Sequence, residues 1–220
     1  MYRANLKKIL TPVERSLLSG LKTGRAVQDY LDTLPINFEN SGETYMSVRR
    51  VLHEKTAHCL EGALVAAAAF VINGQSPLIL DFQTTPEDED HVVTLFKEHG
   101  YWGAVSKTNH AVLRYRDPVY KTVRELAMSY FHEYFTWAGV KSLRAYSRPF
   151  DLSRFAPERW ISAEEELHWL AEAIDSSPHV PIIQPRHVHS LRKASKLELD
   201  TLRLVEWKNP SDTTCKKDSN

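Results

Sequence analysis

The chain has 220 residues, enough for one to two domains at roughly 150 residues each. Its composition, 42% apolar and 25% charged, excludes a wholly disordered chain or a fibrous repeat. Lys plus Arg and Asp plus Glu both total 28. This balance lacks the basic excess of a nucleic-acid binder and argues against an acidic, disordered solvating chain. Two cysteines are too few for a disulfide framework. Cys215 sits in a polar tail, and both thiols are read as reduced, in a cytoplasmic setting. The N-terminal stretch carries charges throughout and does not read as a signal peptide. The longest apolar run, Ala63 to Ile72, is too short to span a bilayer, which needs about 20 residues.

In chain order, residues 1–25 read as a basic, helix-prone arm. Residues 26–34 and 44–55 place apolar side chains at helical spacing. Thr56 is the expected N-cap of the next helix, with Cys59 in its first turn. From Ala63 to Ile72 that helix is apolar on every side, so it should be buried all round. Asn73-Gly74 stops it, with Gly74 suited to a left-handed C-cap. Residues 77–82 and 91–96 read as strands, separated by an acidic loop from Thr84 to Asp90. A turn over 97–100 leads to a third strand at 101–106. It pairs Phe96 with Tyr101, Leu95 with Trp102 and His91 with Ser106. Residues 110–115 and 141–147 are further strand candidates. Pro118 opens a helical pattern running to Trp137, and Ser162 with Glu165 forms an expected capping box for a helix to about Ser176. No Gly-rich phosphate loop or serine nucleophile elbow is present.

Cys59 and His91 stand out by position. A thiol at a helix N-terminus meets backbone N–H groups and the positive end of the dipole, which favour the thiolate. The same N–H groups suit an acyl-transfer oxyanion. His91 opens an otherwise apolar strand, where a polar ring calls for a partner. An imidazole beside a thiol, oriented by a third group, is the arrangement of a thiol nucleophile. The plain alternatives are an inert core cysteine and a satisfied surface histidine. The acidic run Glu87–Asp90 with His91 reads as a solvated loop rather than a cation site. His187 and His189 lack a third ligand. His58, His110 and His132 have no evident partner. Asp81 reads either as a neighbour of the site or as a turn cap, and Lys107 as exposed.

Residues 43–106 resemble the transglutaminase-like superfamily, a branch of the papain-like thiol fold. The resemblance rests on the order of the pieces. A helix leads to HCLEGALVAAAAF, with its Cys at the start of a buried helix. Gly74 follows, then the strand PLILDF, the His-initiated strand HVVTLF and the Trp-initiated strand WGAVS. The resemblance implies Cys59 as nucleophile and His91 as general base. Where the family carries an Asp, this chain has Ser106. Serine accepts an imidazole N–H but brings no negative charge. Asn109, three residues on, is the alternative third group.

The expected fold is α+β: a transglutaminase-like core over about 26–117, with the Cys-bearing helix packed on a small antiparallel sheet. A helical extension over about 118–207 completes one domain, and 208–220 form a disordered tail. The expected activity is acyl transfer at an amide or peptide bond, by hydrolysis or transamidation. It uses no cofactor and no metal, and the substrate is a peptide, protein or small amide. No nucleic-acid or membrane partner is expected. The alternatives are a non-catalytic binding or scaffold member of the same fold with a degenerate site, and an interaction protein working through its basic C-terminal region.

Overall fold

The computed structural model describes residues 2–211. The chain is α+β, with helices packed on both faces of one antiparallel sheet. Four helices lead in: α1 (Tyr2–Ile9), α2 (Pro12–Gly20), α3 (Gly24–Asp32) and α4 (Val48–Glu54). They surround α5 (Cys59–Ile72), and 13 of its 14 residues are buried. The run Ala66–Ala69 gives α5 small side chains on every face, so neighbouring elements approach it from all sides at once. Gly74 ends it at φ +94°, with Gln75 N–H bonding Phe70 C=O and Gly74 N–H bonding Val71 C=O. This is the left-handed stop expected there.

The sheet contains β1 (Leu78–Gln83), β2 (His91–Glu98), β3 (Tyr101–Ser106), β4 (Arg116–Tyr120), β5 (Ala145–Ser147), β6 (Phe150–Asp151) and β7 (His179–Pro181). Its order is β4-β3-β2-β1-β5-β7, with β6 also paired to β1. One face buries Ile79, Val92, Phe96 and Val105 against α5. The other buries Leu80, Phe82, Val93, Leu95 and Ala104 against α6 (Val123–Tyr130) and the chain that follows it. Alternate residues of each strand therefore serve two separate cores. Thr94 is the polar exception on the α5 face, and its hydroxyl donates to the Ala63 carbonyl at 2.7 Å.

Several expected elements differ. The β2–β3 pairing is Glu98 with Tyr101, Leu95 with Ala104 and Val93 with Ser106. The register is two residues away from the expected one. His99 and Gly100 both have positive φ and form a two-residue turn, so β2 runs on to Glu98. Residues 110–115 are irregular, and the strand begins at Arg116. Pro118 lies inside β4, the end strand of the sheet, where a residue without an N–H is tolerated. The helix after it, α6, has Thr122 as its N-cap, whose side chain forms a capping box with Glu125. Ser162 and Glu165 form no such box. Glu166 and Leu167 bond the backbone of Tyr45 instead, and α8 (His168–Asp175) begins beyond them.

The extension over 118–207 is mixed rather than helical: β5, β6 and β7 complete the sheet on the free side of β1, beside α7 (Glu158–Ile161), α8 and α9 (Lys196–Thr201). The expected tail, with Cys215, lies largely outside the described residues. Asn209 and Ser211 from it hydrogen-bond Asn40. Among the described residues, no helix is long and apolar enough to cross a membrane.

Candidate active site

Cys59 is the first residue of α5, and the N-cap is His58 rather than Thr56. Thr56 instead donates its hydroxyl to the Pro35 carbonyl. His58 Nδ1 accepts the Leu60 N–H at 3.2 Å, while Glu61 reaches back to the His58 N–H at 2.9 Å. This is a capping box with imidazole in the usual hydroxyl position. Glu61 is fully buried. It also accepts from Met46 N–H, the Thr44 hydroxyl and the Asn37 amide, and so pins the 37–46 loop to the start of α5.

As a cap, His58 lies outside the helix, and its Nδ1 sits 3.9 Å from Cys59 Sγ. Sequence reasoning gave His58 no partner and missed this. The signal was Glu61, three residues after His58. His58 Nε2 donates to the Thr44 carbonyl at 2.7 Å and lies 3.4 Å from Glu61 Oε1.

His91 is buried at the start of β2, and its Nε2 is 2.8 Å from Ser106 Oγ. The two-residue register difference leaves both side chains on one face of the sheet, as diagonal neighbours within reach. Ser106 has one hydroxyl proton, and it goes to the Leu113 carbonyl at 2.5 Å. Ser106 Oγ is therefore the acceptor for His91, and His91 Nε2 carries the proton. In the neutral ring this leaves the Nδ1 lone pair for the thiol proton. Leu113 has φ +59°, a left-handed conformation costing about 1–2 kcal/mol for a residue with a side chain. Its N–H is held by Glu133, which in turn pairs with Arg116. Strain kept in place from both sides aims that carbonyl at Ser106.

Burial pushes the Cys59 thiol up. Hydrogen bonds and charge from His58 and His91 outweigh it and bring the thiol down to about 5. The α5 N-terminus acts in the same direction. Burial pulls the His58 imidazolium down, but the bond to Cys59, the Cys59 and Glu61 charges and the Thr44 carbonyl raise it to about 9. The two roles of His58 Nδ1 exclude each other: neutral, it caps Leu60; protonated, it donates to the thiolate. With a thiolate and the Glu61 carboxylate beside the ring, the protonated form is favoured.

Two grooves meet here, of about 670 and 480 Å³. Both are lined by Glu39, His58, Cys59, Glu89, Asp90 and His91. The smaller one also takes in Asp81 and Asp175, and the larger one Glu133 and Tyr134. The site is thus locally acidic in a chain that is neutral overall. Asp81 is buried, with Oδ2 2.8 Å from His179 Nε2. Burial pushes Asp81 up to about 6 against the pull of His179, with Asp90 and Asp175 adding to the rise. This contact ties β1 to β7 along the wall of the smaller groove.

Other expected residues line the larger groove but bond elsewhere. Asn109 lines the same groove as His91, but its side chain bonds Trp207. Its amide donates to the Trp207 carbonyl at 2.9 Å, and its carbonyl oxygen accepts the Trp207 N–H at 2.8 Å. Asn109 therefore clamps the C-terminal segment. Lys107 is buried rather than exposed, and its ammonium bonds the Leu31 carbonyl in the last turn of α3 and the Leu34 carbonyl just beyond it. In the acidic loop, Asp90 accepts from Thr84 and Asp88 from the Ser142 hydroxyl. Among the described residues, no group of three or more His, Cys, Asp or Glu side chains is arranged to hold a metal ion. The chain matches no protein-family model and no curated protein.

Proposed function

We propose that the protein is a cysteine acyl-transfer enzyme of the transglutaminase-like class, acting on an amide or peptide bond. The observation that carries this reading is the surroundings of Cys59. It starts a buried helix at the junction of two grooves, next to an imidazole whose proton is fixed on the far nitrogen by Ser106. The order of the elements supports the same class: a Cys-initiated buried helix, a His-initiated strand, then a strand ending in the third group.

In this mechanism Cys59 attacks the acyl carbonyl as thiolate, and the C–S bond forms. The tetrahedral adduct collapses, the C–N bond breaks, and the proton held on imidazole passes to the leaving amine. Water or a second amine then attacks the acyl-thioester, His91 takes its proton, and the C–S bond breaks to return the Cys59 thiolate. Two grooves sharing one thiol give separate approaches for acyl donor and acceptor, which suits either outcome.

A non-catalytic binding role is the second reading. Ser106 favours it, because a neutral acceptor stabilises an imidazolium less than a carboxylate does. The two readings separate on intact mass after incubation with p-nitrophenyl acetate, in a Cys215→Ser background. An acetyl adduct on Cys59 that is absent from Cys59→Ser and turns over with time supports the enzyme. No adduct supports the binding module.

A further inference from the structure

Tyr134 lines the larger groove with Cys59 and is only 2% exposed. Its hydroxyl is buried and has no hydrogen-bond partner among the described residues. The ring is held in place: it packs on Phe82 with centroids 5.9 Å apart, and its own carbonyl accepts the Ser142 N–H. A phenylalanine would fill the same space without burying an unmatched hydroxyl, so the oxygen calls for a use. One is at hand. The ring lines the same groove as the Cys59 thiol, where an acyl oxyanion would form.

We propose that the Tyr134 hydroxyl donates a hydrogen bond to the carbonyl oxygen of the acyl substrate and holds it as an oxyanion while Cys59 attacks. The inference rests on the acyl-transfer reading and names a group that touches the reacting atoms. As the C–S bond forms, the π pair of the carbonyl moves onto oxygen, and the Tyr134 O–H meets that charge. As the adduct collapses, the C=O bond re-forms and the leaving group departs with its electron pair, leaving the acyl-thioester. Tyr134 keeps its proton throughout. Burial and the negative charges of Asp81 and Cys59 hold its pKa well above the ordinary tyrosine value, so it remains a donor.

The test uses the full chain with Cys215→Ser, with and without Tyr134→Phe. Three quantities are read: the acylation burst with p-nitrophenyl acetate, the pH profile of iodoacetamide alkylation, and the melting temperature. Alkylation displaces iodide at a saturated carbon and forms no oxyanion, so it isolates thiolate reactivity. Tyr134→Phe is expected to slow acylation about 100-fold, with the alkylation profile unchanged and the melting temperature unchanged or raised. Equal acylation in the two proteins overturns the proposal. So does a parallel loss of acylation and alkylation, or a fall in melting temperature with both, since either makes the hydroxyl structural. If Cys59 is not acylated even before the Tyr134 substitution, the acyl-transfer reading itself fails, and this inference fails with it.

Discussion

His91 donates to Ser106 Oγ across 2.8 Å, and the Ser106 hydroxyl donates in turn to the Leu113 carbonyl. The chain of bonds runs one way and ends on a backbone dipole rather than a carboxylate. It orients the imidazole and fixes its tautomer but lends it little charge. Ser106→Ala removes the acceptor and leaves a buried N–H and a buried carbonyl unmatched. The expected cost is about 1–2 kcal/mol of stability and about a 100-fold loss of acylation rate, read from denaturation curves and the p-nitrophenyl acetate burst.

The paired ionisation of Cys59 and His58 predicts a particular pH dependence of stability. A thiol lowered from 9 to about 5 contributes stability that is present above 9 and lost as pH falls through 5. An imidazole raised from 6.5 to about 9 contributes stability that is present below 6.5 and lost as pH rises through 9. Counted together, the folded pair loses its first proton near 5 and the unfolded pair near 6.5, while both lose the second near 9. The unfolded chain therefore holds the extra proton only between about 5 and 6.5, and there stability rises with pH. The advantage of wild type over Cys59→Ala should grow across that window in denaturant titrations. A constant difference would mean the folded thiol is not ionised at neutral pH.

The outline of the site was legible in the sequence, but its wiring was not. The apolar run after Cys59 announced a buried helix, and the Asn73-Gly74 stop was readable from residue type. The register was misjudged because His99-Gly100 makes a turn of two residues rather than four. The consequence was small, since a shift of two keeps His91 and Ser106 on one face. His58 was overlooked because imidazole is an uncommon N-cap. Asn109, Lys107 and Tyr134 depend on contacts made across the fold by Trp207, α3 and Phe82, which no local pattern encodes. The strands β5 to β7 are two or three residues long, too short for an alternating pattern to register.

The carboxylates around the grooves should discriminate between reagents by charge. Glu39, Glu89 and Asp90 line both approaches to the thiol. Iodoacetate should alkylate Cys59 at least about tenfold more slowly than iodoacetamide at low ionic strength. Because the Debye length shrinks to about 3 Å in 1 M salt, the ratio should fall as salt is added. Rate constants measured for both reagents across a salt series check this.

Glu61 is the structural keystone of the site, with the 37–46 loop, the cap and α5 all bonded to one fully buried carboxylate. Glu61→Ala leaves the Met46 and His58 N–H groups and the Thr44 hydroxyl without their acceptor. The expected loss is about 3 kcal/mol, with Glu61→Gln losing less. Chemical denaturation of the two variants beside wild type measures both, and a difference below about 0.5 kcal/mol for Glu61→Ala would show the loop is held by other contacts.

The central claim is that two imidazoles hold Cys59 as a thiolate. The most direct measurement is the rate of iodoacetamide alkylation against pH in Cys215→Ser, alone and with His58→Ala or His91→Ala. The account predicts a midpoint near 5 without further substitution, moving upward in each histidine variant. A midpoint near the free-thiol value of about 8.5, unmoved by either substitution, would contradict it.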